Sequence, residues 1–246
     1  MKKQVFLGIS VLLLAMMACS FGNFNLPIDT VKPSGNVERV EKPLGGISRV
    51  DFNGLGQLTI EQGEEELLVI EADDNFMPYI TTNIAGDRLV IGMEKGISIN
   101  SPVTLRFTLM VKDLSALDTS GLGDIEIDGL STDELAIGIS GGGNLDLKGL
   151  DTERLTVTLS GLGNVFVSGN CRAQKLEISG GGNYDAGDLK SDEAQVIISG
   201  LGGATVWASE SLDVTISGGG DVNYYGNPQV RKDISGLGRV SHRGDK

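Results

Sequence analysis

Three carboxylates occur at the spacing of a repeat in the second half of the chain. Glu126, Asp146 and Asp185 each lie on the outward side of a short alternating segment. If these segments stack as neighbouring strands, Glu126 and Asp146 lie about 4.8 Å apart. Paired carboxylates could catalyse glycoside hydrolysis or bind Ca²⁺. Two solvated acids on an acidic surface are the alternative interpretation, because Phe166 and Thr205 interrupt the row.

Aromatic side chains form a second candidate site. Phe166, Trp207 and Tyr225 could project from one face, where sugar rings would stack on them, and Glu126 and Asp146 complete the candidate binding set. The alternative is that these are scattered surface residues, because the chain contains one Trp and 5% aromatic residues.

Catalytic, cofactor and metal sites are not expected. The single His, His242, lies near the end of the chain, so a His-based triad and a multi-His metal site are excluded by count. Cys171 falls where Leu130 and Leu150 stand in the preceding units, so we interpret it as a small buried hydrophobe. We predict no catalytic residues, no cofactor and no metal ligands.

The amino-acid composition limits the classes of protein to which the chain can belong. The 246 residues include 36 Gly but only 6 Pro, without a Gly-x-y period, which excludes collagen. Val, Ile and Leu are abundant and evenly distributed, which argues against disorder. The net charge of −13 makes nucleic acid and anionic lipid headgroups unfavourable partners.

The first 19 residues indicate export. Lys2 and Lys3 precede an apolar stretch that is too short to span a bilayer stably, which is typical of a signal peptide. Its end, Met-Met-Ala-Cys, resembles the lipobox of bacterial lipoproteins, which implies a signal peptide over 1–18, lipidation of Cys19 and anchoring to a membrane of the cell envelope. A flexible tether over 19–35 would follow. The alternative is an ordinary cleaved signal with a chance Cys.

A repeat of about twenty residues organises the second half of the chain, from about 118 to 240. Each unit reads as a strand, a polar turn, a second strand and a corner with the signature Ser-Gly-(Leu/Gly)-Gly. Seven such units predict an all-β fold, a parallel β-helix or β-solenoid with right-handed winding as the default. The segment from 36 shows the same pattern less regularly, so we expect one domain over 36–246. The corners begin at Ser120-Gly121, Ser140-Gly141, Ser160-Gly161, Ser179-Gly180, Ser199-Gly200, Ser217-Gly218 and Ser235-Gly236.

Glycine suits these corners for two reasons: it adopts positive φ, and it has no Cβ to clash with the next coil. The Asn or Asp that follows, such as Asn144, also accepts left-handed backbone. The third signature position alternates between Leu and Gly, beginning with Leu122 and Gly142. Either one unit makes a coil and each Leu covers a Gly, or two units make a wide coil; the sequence leaves both open.

The outward side of the second strands carries small residues. A flat face of this kind could pack against another protomer, so homo-oligomerisation is one expectation, and a Thr-rich solvated face is the alternative. The residues are Ala136, Gly138, Thr156, Thr158 and Thr215.

The order of motifs carries a family resemblance. A Gly-Leu-Gly strand pair at 54–56, the segment IEADDNFMPYITTNIAGDRLVIGM, the segment PVTLRFTLMVKDLSALDTSGLGDI and the serial SGxGN repeats follow one another. This order resembles the putative autotransporter adhesin "head GIN" domain family. The resemblance covers roughly 40–240 and implies a β-helix-like fold, a surface or adhesive role, and no catalytic residues to carry over.

Together these features predict a lipid-anchored, extracytoplasmic binding or adhesion protein that is not an enzyme. It would contact an extracellular polymer or protein through a rigid, repetitive and acidic surface, where repetition supplies avidity. Two alternatives remain open. One is a carbohydrate-active enzyme that uses the outward carboxylates, and the other is a structural component of the envelope.

Overall fold

The computed structural model describes residues 29–99 and 103–246, which form a nearly all-β fold. The predicted signal peptide (1–18) and the lipidation site Cys19 lie outside the described residues. A single 3₁₀ helix, Met77–Tyr79, separates β5 from β6. The strands are β1 (Asp29–Val31), β2 (Val37–Pro43), β3 (Arg49–Asn53), β4 (Gln57–Gln62), β5 (Leu67–Asp73), β6 (Ile80–Ala85), β7 (Arg88–Met93), β8 (Ile97–Ile99), β9 (Leu105–Val111), β10 (Ala116–Thr119), β11 (Asp124–Ile139), β12 (Leu145–Leu159), β13 (Val165–Ile178), β14 (Tyr184–Ile198), β15 (Ala204–Ile216), β16 (Val222–Tyr225), β17 (Gln229–Ile234) and β18 (Val240–His242).

The long strands β11 to β15 build a parallel β-solenoid. Each strand pairs in parallel with the next one along the chain, and Ile125 is the ladder partner of Leu145, which is the partner of Val165. Equivalent residues of successive units therefore lie on neighbouring coils, and one unit makes one coil. The predicted β-solenoid is confirmed, and the geometry with two units per coil is excluded.

Alternation of apolar and polar residues explains the core. Alternate side chains of each coil point inward and are stacked on their counterparts, as with Leu135 and Leu155, which are ladder partners and at most 1% exposed. Burial of each such side chain contributes about 1.5–3 kcal/mol. Because each coil contacts mainly the coils before and after it, this core runs as a continuous column along the solenoid axis.

Close approach of neighbouring coils, rather than backbone conformation, accounts for the corner glycines. The corner glycines from Gly121 to Gly236 do not have positive φ, and no residue other than Gly has positive φ in the described part of the chain. A Cβ on Gly141 would instead overlap the carbonyl oxygen of Gly121, and that oxygen accepts a hydrogen bond from the backbone N–H of Gly142 at 3.1 Å. The expectation of left-handed corners was therefore wrong, and the expectation of steric exclusion is supported.

The Asn residues that follow the corners form a hydrogen-bonded ladder along the outside. The Asn164 side-chain amide donates to Asn144 Oδ1 at 3.0 Å, and the Asn183 amide donates to Asn164 Oδ1 at the same distance. These Asn side chains thus form hydrogen bonds to neighbouring coils rather than to their own turns.

In the regular coils, Leu122, Leu162 and Leu201 each lie over a Gly of the next coil. Leu122 Cδ2 is 3.0 Å from the position that a Cβ on Gly142 would occupy, and Leu162 stands in the same relation to Gly181 at 3.1 Å. These leucines are nevertheless exposed, Leu122 by 68% and Leu162 by 75%. The alternation of Leu and Gly therefore reflects contact between neighbouring corners.

The two ends of the solenoid differ in strand direction. At the N-terminal end β5 pairs antiparallel with β2 and β9, and β6 pairs antiparallel with β7. At the C-terminal end β17 pairs in parallel with β15, and β18 with β16. Antiparallel strands therefore cover the first coils, as the irregular sequence before residue 118 suggests.

The predicted tether over 19–35 differs from the structure in its last residues. Strand β1 pairs in parallel with β8, although it lies within that range. Asp73 Oδ1 accepts a hydrogen bond from the Gly35 backbone N–H at 2.7 Å, and the Asn75 side-chain amide donates to the Lys32 carbonyl oxygen at 2.7 Å. Residues 29–35 are thus attached to the domain.

None of the helices over 29–99 and 103–246 combines the length and the apolar character that crossing a bilayer demands.

Candidate functional site: the first-strand face

The outward side chains of the strand segments that follow each corner form a straight row, here called the first-strand face. Each coil contributes one residue to the row, because strand pairing places residues about twenty positions apart in the sequence beside one another. Its members differ in charge and size, so the face changes character from coil to coil. In order they are Glu126, Asp146, Phe166, Asp185, Thr205 and Asn223.

The predicted carboxylate pair is brought together. Glu126 and Asp146 are direct ladder partners on β11 and β12. Asp146 is also paired with a cation, because Lys148 Nζ lies 2.8 Å from Asp146 Oδ2. Asp146 and Glu126 both raise the pKa of Lys148, the hydrogen bond to Asp146 contributing most. The described residues contain no cluster of three His, Cys, Asp or Glu side chains arranged to hold a metal ion.

Phe166 lies between two carboxylates. Its ladder partners are Asp146 on one side and Asp185 on the other, and its side chain is 49% exposed. A hollow of about 190 Å³ opens beside the ring, lined also by Lys148 and Asp188. The arrangement combines an apolar ring face with hydrogen-bond acceptors on both flanks.

Trp207 and Tyr225 form a separate aromatic pair outside this row, two residues after Thr205 and Asn223 on the same strands. They are ladder partners on β15 and β16, but neither is a ladder partner of Phe166. Lys246 Nζ lies 4.6 Å from the centre of the Tyr225 ring and 6.0 Å from that of Trp207, and it donates to the Gly187 carbonyl oxygen at 2.7 Å. The three aromatic residues are therefore not brought together. Phe166 belongs to the first-strand face, and Lys246 packs on the separate pair of Trp207 and Tyr225.

A larger groove lies on the outward side of the second strands, and it has a volume of about 570 Å³. Ala136, Gly138, Thr156 and Thr158 line it, in agreement with the small-residue face in the sequence. Thr215 does not; its ladder partner is Ile197, further along the solenoid.

Three charged side chains line this groove as well, and the sequence pattern did not predict them. Arg88 Nη1 lies 2.5 Å from Asp51 Oδ1 and 3.7 Å from Asp118 Oδ2. Partial burial raises the pKa of Asp118, and the charge of Asp51 raises it further, while Arg88 opposes the shift. The three residues come from β7, β3 and β10, and the pairings of β10 with β3 and of β3 with β7 do not follow the twenty-residue spacing.

A buried polar network lies at the coils where the core row changes from Leu155 to Gln174. The Tyr184 hydroxyl donates to Gln174 Oε1 at 3.1 Å, and Gln174 Nε2 donates to Ser191 Oγ at 2.8 Å. Ser191 Oγ in turn donates to the Trp207 carbonyl oxygen at 2.6 Å. These buried groups satisfy one another, so the network supports the fold.

Cys171 is buried, as interpreted from the sequence, but its position in the ladder is different. It pairs with Thr152 and Ser191, while Leu150 pairs with Gly169. The shift arises because the pairing slips between Leu147 and Leu150. Burial raises the pKa of the Cys171 thiol to about 12, with a smaller contribution from the charge of Asp192.

Comparison with known proteins identifies relatives of this arrangement. Residues 47–228 match the sequence model of a family described as "Putative auto-transporter adhesin, head GIN domain". No protein of curated function matches the chain closely enough to count as a relative.

Solved structures share the fold over most of the chain. The crystal structure of a putative adhesin from Bacteroides fragilis matches with a TM-score of 0.83 and 26% identity, over 86% of this chain and 99% of that chain. A putative lipid binding protein from Parabacteroides distasonis matches with a TM-score of 0.74 and 23% identity, over 87% and 99%. A putative adhesin from Parabacteroides merdae matches with a TM-score of 0.67 and 22% identity, over 87% and 99%. At the identities of the two Parabacteroides proteins, the likeness concerns the fold alone.

Proposed function

Because the chain belongs to the family of putative auto-transporter adhesins with a head GIN domain, we propose that it is a non-catalytic, adhesion-type binding protein. Its ligand would be an extracellular polymer or protein. The similarity to the Bacteroides fragilis putative adhesin supports this proposal, because the two chains correspond over almost the whole of that protein.

The observation that carries the proposal is the first-strand face. Its outward side chains stand in register, one per coil, on a rigid ladder. A ligand with repeating units could therefore contact several coils at once, and the affinity would come from many modest contacts rather than from one deep pocket. The net charge of −13 would favour neutral or cationic partners over nucleic acid.

The site of action would be outside the cytoplasm, at the cell envelope. An adhesion-type role supports a surface location, and the leader-like residues 1–18 with Cys19 support attachment through a lipid. A Cys19→Ser variant tests the anchor: the protein should move from the membrane fraction to the soluble fraction. Continued membrane retention would contradict lipidation without touching the binding role.

The binding role is tested with the purified domain on immobilised envelope polysaccharides, extracellular polymers and matrix proteins. Saturable binding without release of reducing ends is the expected result. Cleavage of a polysaccharide that disappears in Asp146→Asn would replace binding with catalysis by the outward carboxylates. Self-association with no binding to any probe would instead support a structural role in the envelope.

A further inference from the structure

The geometry points to Phe166, flanked by Asp146 and Asp185, as a subsite for one neutral pyranose residue of a glycan chain. This inference rests on the proposed binding function and names its ligand class. The subsite is the hollow of about 190 Å³ beside the Phe166 ring. The ligand would lie along the first-strand face, parallel to the solenoid axis.

The ring supplies the stacking surface. Phe166 is 49% exposed at an outward position and lines the hollow, so about half of its surface is open to a ligand. The C–H bonds on one face of a pyranose ring carry partial positive charge and pack well on the negative face of an aromatic ring. Stacking on the Phe166 ring therefore favours a pyranose as the ligand.

The flanking carboxylates supply the orientation. Asp146 and Asp185 stand one coil away from Phe166 on either side, about 4.8 Å along the axis. Carboxylate oxygens accept hydrogen bonds from hydroxyl groups at the edges of a stacked sugar. Asp185 Oδ1 is already held in place by the Gly187 backbone N–H at 3.1 Å.

The charge of the hollow selects against acidic sugars. Lys148 lies 2.8 Å from Asp146, and Lys246 forms an ion pair with Asp188, so two of the three carboxylates have cationic partners. Asp185 makes no ion pair among the described residues, which leaves one negative charge in the hollow. A uronic acid or sulfated sugar would meet repulsion there, whereas a neutral pyranose would not.

Trp207 and Tyr225 do not extend this subsite. Trp207 pairs with Lys190 rather than with the row of Phe166. Lys246 Nζ already packs over both rings, 4.6 Å from the centre of Tyr225 and 6.0 Å from that of Trp207. A longer glycan would therefore follow the first-strand face itself.

The test uses isothermal titration with neutral gluco-, galacto- and manno-tetrasaccharides, with polygalacturonate as the anionic probe. We expect binding of a neutral tetrasaccharide, a loss of affinity of about tenfold or more in Phe166→Ala, and retention in Phe166→Trp. Asp185→Asn should also weaken binding. The matched control is Leu162→Ala, which removes another exposed apolar side chain from a different edge and should leave affinity unchanged.

The outcomes separate this inference from the proposed function. Neutral-sugar binding that Phe166→Ala leaves unchanged, or preference for polygalacturonate, overturns the subsite. If the parent binds none of these sugars but still binds an immobilised protein or polymer, the subsite fails and the adhesion-type function stands. If the parent binds nothing on any surface, both fail. Because Phe166 points outward, thermal melting of each variant should match that of the parent.

Discussion

The carbonyl oxygen of Gly121 occupies the space where a Cβ on Gly141 would stand. The same relation links Gly161 to Gly141 and Gly180 to Gly161, so it recurs from coil to coil. The neighbouring position in the corner is different, because a Cβ on Gly142 would meet only the end of the flexible Leu122 side chain.

Gly141→Ala should therefore destabilise the domain by about 3 kcal/mol, because backbone on the facing coil cannot move without breaking the ladder. Gly142→Ala is the matched control and should stay within about 1 kcal/mol of the parent. Urea unfolding followed by circular dichroism measures both. Equal effects of the two substitutions would contradict the assignment of the crowding to the second signature position.

Substitutions in the buried Gln174 network should have non-additive effects on the free energy of unfolding. Gln174→Leu leaves the Tyr184 hydroxyl without an acceptor and should cost about 1–3 kcal/mol, although Leu occupies the equivalent position in the preceding coil. Tyr184→Phe alone leaves Gln174 Oε1 without its donor. The double variant removes both groups and should be more stable than the sum of the single effects predicts. Additive free energies of unfolding would show that the hydrogen bond contributes little.

Asp118 should make stability depend on pH. Its pKa is raised in the folded state, first by burial and then by Asp51, so folding is penalised above that pKa and the penalty disappears as pH falls through it toward the ordinary value for Asp. Asp118→Asn should therefore raise the melting temperature at neutral pH and bring little gain at acidic pH. A gain of equal size at every pH would contradict a role for the ionised carboxylate of Asp118.

The Cys171 thiol should be unreactive while the protein is folded. Its pKa of about 12 leaves almost no thiolate at mildly alkaline pH, and the side chain is 7% exposed. In a Cys19→Ser background, Cys171 is the only thiol, so alkylation by iodoacetamide reports on it alone. Labelling should be slow in buffer and fast in urea. Fast labelling of the folded protein would contradict the buried position.

The repeat explains why the outward row could be predicted. A fixed spacing assigns the same register to every unit, so Glu126, Asp146 and Phe166 must be ladder partners if one unit makes one coil, which is the geometry of the structure. The prediction of the fold class depended on the same regularity, because seven corners in register leave few alternatives to stacked coils.

The remaining features depend on information that the spacing does not contain. The cluster of Asp51, Arg88 and Asp118 joins strands that are 37 and 67 residues apart in sequence, and the twenty-residue period does not connect them. The position of Cys171 depends on a slip in one ladder, which the sequence marks only by a shorter unit. The conformation of the corners was mispredicted because close packing and positive φ both favour glycine, and composition does not distinguish the two causes.

The Leu-over-Gly contact limits how the solenoid can change in length. Deleting the coil that begins at Ser160 would bring Gly142 against Gly181, and duplicating it would set Leu162 against a second Leu. Either event puts the corner row out of phase, whereas the loss or gain of two adjacent coils restores the order. Within the regular coils that begin at Ser120, engineering should therefore lengthen or shorten the scaffold in steps of two turns, whereas at the first corner Leu55 already stands beside Leu122.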